Sequence, residues 1–265
     1  MGTLIFLKLG GSLITDKARP ETARHDVIAR LSAEIAAALA ARPDLHLVIG
    51  HGSGSFGHVA ADMYQTRQGV RTAEAWRGFA KVAVAAARLN RIVLEALDAA
   101  GVPVWSIQPS ASAVCHDGVI VRMALGPIQR ALEEGLVPLI YGDVALDLKR
   151  GGTIISTEDI FVHLAPLLSP QRILLAGKEE GVLDREGRLV PRITPSTVET
   201  VRQALRGSAQ TDVTGGMESK VMSMLALCED IPNLAVRIFS GETPGALEQA
   251  LSGTHFTAGT LLIGG

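Results

Sequence analysis

The chain has 265 residues, of which 47% are hydrophobic and 20% charged, and its formal net charge is −2. This apolar content excludes an intrinsically disordered chain, and the length permits one large α/β domain or two small ones around an extensive core. With 25 Lys and Arg against 27 Asp and Glu there is no basic excess for a nucleic-acid surface, and two cysteines, Cys115 and Cys228, build neither a disulfide framework nor a four-cysteine zinc site.

No apolar run reaches the roughly 20 residues that cross a bilayer. The N-terminal run, residues 4–9, contains Lys8 and ends in Gly10-Gly11, which is too short for a signal peptide. The expectation is a soluble cytoplasmic protein with no membrane or nucleic-acid partner.

In chain order, residues 3–9 read as a continuous apolar strand followed by Gly10-Gly11-Ser12. Residues 26–42 place Val27, Ile28, Leu31, Ile35 and Leu39 at helical spacing. Residues 44–50 form the next strand and end at His51-Gly52-Ser53-Gly54-Ser55. Residues 73–100 read as one long helix or two, closed by Gly101. A strand over 102–107, a helix over 123–134 and a strand over 137–141 follow, the last ending at Gly142-Asp143. Residues 145–147 and 152–155 suggest a hairpin. A helix over 158–168 and a strand over 172–176 lead into the polar loop 177–181. Residues 183–216 are loop-rich around a helix at 195–204. A helix over 217–228 and strands over 235–240 and 257–263 complete the chain. Strands alternating with helices predict a mostly parallel central sheet covered on both faces, a three-layer αβα sandwich.

In such a sheet the ligand lies beyond the carboxyl ends of the strands. Three glycine-rich turns fall there: Gly10-Gly11-Ser12, the segment from Gly52 through Gly57, and Gly215-Gly216 before a helix that carries Lys220. Without Cβ atoms, backbone N–H groups approach phosphate oxygens closely. Lys8, near the end of a strand that should be buried, calls for an anionic partner. Lys17 and Lys220 each read alone as surface lysines. Together with Lys8 and three glycine turns they point to polyphosphate chemistry.

These motifs (KLGGS, TDK, GHGSGSFGH, YGD and DVTGGMxxK) resemble the amino acid kinase superfamily over nearly the whole chain. The GSFGH element, with His58, resembles more narrowly the isopentenyl phosphate kinases, with fosfomycin kinase a near relative. The resemblance implies transfer of the terminal phosphoryl group of ATP to isopentenyl phosphate. Lys8 and Lys17 would bridge ATP and acceptor, Lys220 would hold the outer ATP phosphates, and Asp143 would orient the lysines by ion pairing. Gly10, Gly11, Ser12, Gly54, Gly215 and Gly216 would cradle phosphates. Lys178, Leu183 and Asp184 would lie on the adenine side, where the family usually reads TDVDGVYD; here Lys178 replaces an acidic residue and Leu183 an aromatic one. Ser53, which stands where the family usually has Gly, would join Gly54, Gly142 and His58 at the acceptor phosphate.

A phosphate acceptor is already an anion and needs donors and cations rather than a base, and His58 suits that need. The five-carbon tail would enter an apolar pocket with Phe56, Met63, Trp76, Phe79, Val82 and Ala83 as candidates. Mg²⁺ would be carried mainly by ATP phosphates, with no protein metal ligands. The resemblance further implies a single domain with residues 1–150 chiefly on the acceptor side and 151–265 chiefly on the ATP side, and a homodimer. The alternatives are a kinase of another small phosphate or phosphonate such as fosfomycin, and a non-catalytic nucleotide sensor.

Overall fold

Apolar strands and amphipathic helices alternate as expected in the computed structural model, which describes residues 2–57, 64–205, 216–253 and 255–265. The strands are β1 (Thr3–Leu9), β2 (Leu45–His51), β3 (Val104–Ser106), β4 (Val114–His116), β5 (Val119–Arg122) and β6 (Val137–Tyr141). They continue with β7 (Asp143–Asp147), β8 (Gly151–Ile155), β9 (Arg172–Gly177), β10 (Arg192–Ile193), β11 (Ala235–Ser240) and β12 (Thr260–Ile263). The helices are α1 (Gly11–Ile14), α2 (His25–Ala41), α3 (Ala73–Ala99) and α4 (Gly126–Glu133), then α5 (Thr157–Leu168), α6 (Val198–Leu205), α7 (Gly216–Asp230) and α8 (Ala246–Ser252).

The main sheet runs β10–β12–β11–β9–β1–β2–β6–β3. Its pairings are parallel except β11 with β12. The period-two alternation of side chains sorts the core into two layers. Ile5, Leu7, Leu9, Leu47 and Ile49 pack with the apolar faces of α2, α3 and α8. Phe6, Val48, Ile140 and Ile173 pack with those of α5 and α7. The sheet is therefore covered on both faces, and β1 lies at its centre between β2 and β9. Their joint carboxyl edge is the crevice that open α/β sheets use for ligands.

A second sheet, ordered β5–β4–β7–β8, stands apart from the first. Its β7–β8 hairpin matches the sequence expectation; its β4–β5 hairpin does not appear there. That turn is Asp117-Gly118, with φ of 52° and 87°, the left-handed pair that type I′ hairpins require. The Asp147 carboxylate holds it by accepting from the N–H groups of Asp117 and Gly118. Helix α3 is a single helix: the Thr72 hydroxyl caps its start by accepting from Ala75 N–H, and Gly101 at φ 83° ends it. Among the described residues no helix is long and apolar enough to cross a membrane.

Candidate active site

Strand parity decides what Lys8 meets. Lys8 lies two residues after Phe6 and so projects from the same face of β1. Phe6 packs on Phe161 of α5 with ring centroids 5.0 Å apart. One pleat further on, Lys8 pairs directly with Glu158 in the first turn of α5. The other Glu158 oxygen lies 3.8 Å from Lys220 Nζ in α7. Lys8 and Glu158 side chains are each only 12% exposed. Burial alone would raise the Glu158 carboxyl, but the charges of Lys8 and Lys220 overcome it and hold it down at about 2.

A capping box fixes where α5 starts. The Ser156 hydroxyl accepts from Asp159 N–H at 3.1 Å, and the Asp159 carboxylate accepts from Ser156 N–H at 2.7 Å. This places Glu158 in the first turn, facing the strand ends. The starts of α5 and α7 both border the cleft, so the positive ends of two helix dipoles lie beside the lysines.

The glycine turns form the opposite wall. Gly10 N–H donates to Ala176 O at 2.8 Å, joining the ends of β1 and β9. Thr15 Oγ1 donates to Gly11 O at 2.7 Å and accepts from Ser55 N–H at 2.9 Å, joining the β1 and β2 turns. These turns touch backbone to backbone: a Cβ on Gly11 would sit 2.5 Å from Gly54 N and 2.7 Å from its Cα. Neither neighbour is a side chain that can rotate away. Gly11→Ala is expected to prise the two turns apart and to lower kcat/KM by about 10²-fold, the effect of misplacing reacting groups by an ångström. Steady-state kinetics on a variant whose unfolding midpoint matches the parent checks this.

His51 lies beneath the turn and is fully buried. Its ring stacks on Tyr141 with centroids 5.7 Å apart. Nδ1 is 3.1 Å from Gly52 O and Nε2 is 3.2 Å from Asn90 Nδ2. The His51 carbonyl accepts from the Thr157 hydroxyl at 2.6 Å, which ties the β2 turn to the start of α5. Burial pushes the imidazole down to about 4, so it is neutral at ordinary pH.

The cleft is open to solvent at its mouth. It gathers four of the expected lysines, Lys8, Lys17, Lys178 and Lys220. It also gathers Gly10, Gly11 and Ser12 with Ser53, Gly54 and Gly142. His58, Met63 and Gly215 lie outside the described residues. Gly216 opens α7 at φ 65° without lining the cleft among the described residues.

Other expected site residues stand elsewhere in the described structure. Among the described residues no ion pair joins Asp143 to a lysine. It is 1% exposed, and its carboxylate accepts from Ser110 N–H at 3.1 Å and Val144 N–H at 2.8 Å, so it anchors the turn after β3. Burial raises its pKa, and the hydrogen bonds from Ser110 and Val144 offset this only in part. Glu158 makes the lysine contacts expected of Asp143. Its signal was the Ser156-x-x-Asp159 spacing at the end of a strand, which marks the first turn of a helix. Leu183 and Asp184 also lie away from the described lining. Leu183 bridges to Leu189, and Asp184 accepts from Arg188 N–H at 2.9 Å in an exposed turn. Phe79 meets Trp76 edge-on at 5.1 Å and packs over Gly152 of the second sheet, while Ala83 is half-buried on the same helix. Neither is among the described residues that line the cleft.

The chain matches the amino acid kinase family model over residues 3–240. An isopentenyl phosphate kinase from Methanothermobacter thermautotrophicus is 36% identical, over 98% of this chain and 99% of that one. One from Haloferax volcanii is 37% identical, over 92% of this chain and 98% of that one. An isopentenyl phosphate kinase of known X-ray structure superposes with a TM-score of 0.81 at 33% identity, covering 98% of this chain and 100% of that one. An order of eight strands with its glycine turns and lysines at one edge, matched over 238 consecutive residues, places the chain in the amino acid kinase family.

Proposed function

We propose that the protein transfers the terminal phosphoryl group of ATP to isopentenyl phosphate, forming isopentenyl diphosphate and ADP. The observation that carries this reading is one carboxylate, Glu158, holding Lys8 and Lys220 at the mouth of two glycine turns. The names of the relatives specify the acceptor.

Phosphoryl transfer runs through a loose transition state, so the protein's task is positioning and charge stabilisation. The bond from the terminal phosphorus to the ADP oxygen breaks, and one from that phosphorus to an acceptor phosphate oxygen forms. Lys8 and Lys17 supply positive charge around the transferred group, and Lys220 holds the outer ATP phosphates beside the start of α7. The backbone N–H groups of Gly10, Gly11 and Gly54 cradle phosphate oxygens. A hydroxyl acceptor would need a base. Glu158 is engaged by two ammonium groups and does not serve as one, whereas a phosphate monoester brings its own oxyanion. His58, by its place in the GSFGH motif, donates to that acceptor phosphate.

Mg²⁺ supplies further charge neutralisation when bound, carried on the nucleotide phosphates, since the carboxylate nearest the lysines is already paired. The same reading assigns the acceptor side chiefly to residues 1–150 and the ATP side chiefly to residues 151–265, in a homodimeric cytoplasmic enzyme.

The test follows ADP release with Mg-ATP and, separately, isopentenyl phosphate, dimethylallyl phosphate, fosfomycin and UMP, for the parent and His58→Ala. Turnover on isopentenyl phosphate well above fosfomycin and UMP, and lost in His58→Ala, is the expected result. Turnover that survives in the variant removes His58 from the phosphate site. Release with fosfomycin alone overturns the acceptor assignment.

A further inference from the structure

We propose that the ion pair between Arg24 and Glu242 positions the nucleotide half of the cleft, by locking the Gly10-Gly11-Ser12 turn against the loop that follows β9. The inference rests on reading this cleft as an ATP site. Neither residue is among those that line it.

Arg24 stands just before α2 and reaches two separate parts of the fold. Its backbone N–H donates to Ile14 O at 2.8 Å, and its Nη1 donates to Leu13 O at 3.0 Å. Leu13 and Ile14 belong to α1, directly after the glycine turn. The same guanidinium grips both oxygens of Glu242 at 2.5 and 3.0 Å. Glu242 lies after β11, so one side chain joins positions 218 residues apart.

The Glu242 loop is in turn bonded to the β9 loop. Glu242 N–H donates to Ser240 Oγ at 3.2 Å, and Ser240 Oγ donates to Lys178 O at 3.0 Å. Gly241 N–H donates to Gly177 O at 2.8 Å. Arg30 donates to Gly241 O at 2.6 Å. The chain of contacts therefore runs from α1, through Arg24 and Glu242, to Gly177 and Lys178. Gly177 and Lys178 line the cleft, and so do Gly11 and Ser12 of α1, which directly precede the contacted Leu13 and Ile14.

The chemistry suits a device for geometry more than for stability. Arg24 and Glu242 side chains are 26% and 33% exposed, and partly exposed pairs contribute little to folding. A two-pronged guanidinium–carboxylate pair, by contrast, fixes distance and orientation together, which a lysine cannot reproduce. Hydrogen bonding to Arg24 holds the Glu242 carboxyl below its usual range, so the pair is charged wherever the enzyme would work.

The experiment measures Mg-ATP binding by calorimetry for the parent, Arg24→Ala, Glu242→Ala and the double variant. KM for ATP, KM for isopentenyl phosphate and the urea midpoint are measured alongside. Each single change is expected to weaken ATP binding by about 10-fold, with the double variant no worse than either single, because the two residues act through one contact. KM for the acceptor and the urea midpoint should change little, which separates positioning from a general loss of structure. Arg24→Lys, which keeps the charge and loses the fork, should weaken ATP binding nearly as much as Arg24→Ala. If Arg24→Ala fails to fold, Arg24→Lys and Glu242→Gln carry the same comparison. Unchanged ATP binding in the variants, or additive losses, overturns the proposal and leaves the kinase reading intact. A parent protein that does not bind Mg-ATP overturns both.

Discussion

Lys8→Ala is expected to lower kcat by about 10³-fold, and Glu158→Gln by about 10²-fold, with KM for ATP changing far less than kcat. Removing one preorganised donor from developing transition-state charge has that order of effect. Lys8 is held at 12% exposure by the strand beneath it and the carboxylate beside it, so its charge is fixed before substrate arrives. Glu158 contacts both Lys8 and Lys220, and neutralising it loosens two cations at once. The double variant should therefore lose much less than the product of the single losses, as residues that act as a unit do. Single-turnover measurement of ADP release decides the point, and a Lys8→Ala protein within 10-fold of the parent would exclude Lys8 from the transferred group. The sign of the pH effect is fixed as well. Glu158 has a folded value of about 2 against an ordinary 4.5. Its stabilising contribution is thus complete above about 4.5 and is lost as pH falls toward 2. A decline in activity between pH 7 and 5 does not come from Glu158.

The second large effect belongs to His51. Its folded value of about 4 lies below the ordinary 6.5, first because burial disfavours the charged ring, with the nearby Lys8 charge adding to it. Protonation would also set a ring N–H against the Asn90 amide donor, whose oxygen accepts from the Ser106 hydroxyl at 2.7 Å. Above pH 6.5 both folded and unfolded chains carry a neutral ring, and the residue contributes no pH dependence. Below it the unfolded chain takes up a proton that the native state refuses, so stability falls as pH drops from 6.5 to 4. The total is about 3 kcal/mol at 1.36 kcal/mol per pKa unit. Between pH 7.5 and 4.5 the parent should lose about 2–3 kcal/mol more than His51→Gln in urea unfolding. Equal losses would show that the ring titrates normally. The functional consequence is specific, because the His51 carbonyl secures Thr157 at the start of α5, next to Glu158.

The strands that build the cleft were legible because they are buried on both faces. β1, β2, β6 and β9 read as mainly apolar runs, each ending in a glycine or a polar turn. The β4–β5 hairpin was not, although Asp117-Gly118 is a strong local turn signal. Its strands are three and four residues long, so the Val-Ile-Val run at 119–121 is too short to mark a strand by itself. The carboxylate that meets Lys8 is hidden from the sequence for a similar reason. Asp143 and Glu158 both stand just beyond an apolar strand, and sequence distance says nothing about which one faces Lys8.

The sequence by itself determined the parallel sheet, the glycine turns at its carboxyl edge and the lysines that accompany them, because apolar periodicity and missing Cβ atoms are local properties. That Glu158 holds Lys8 and Lys220, that Asp143 anchors a turn and that Arg24 meets Glu242 emerges only in the folded chain. Those pairings depend on strand parity, on where a capping box starts a helix, and on which strand lies beside β1. Each is set by packing between segments far apart in the chain.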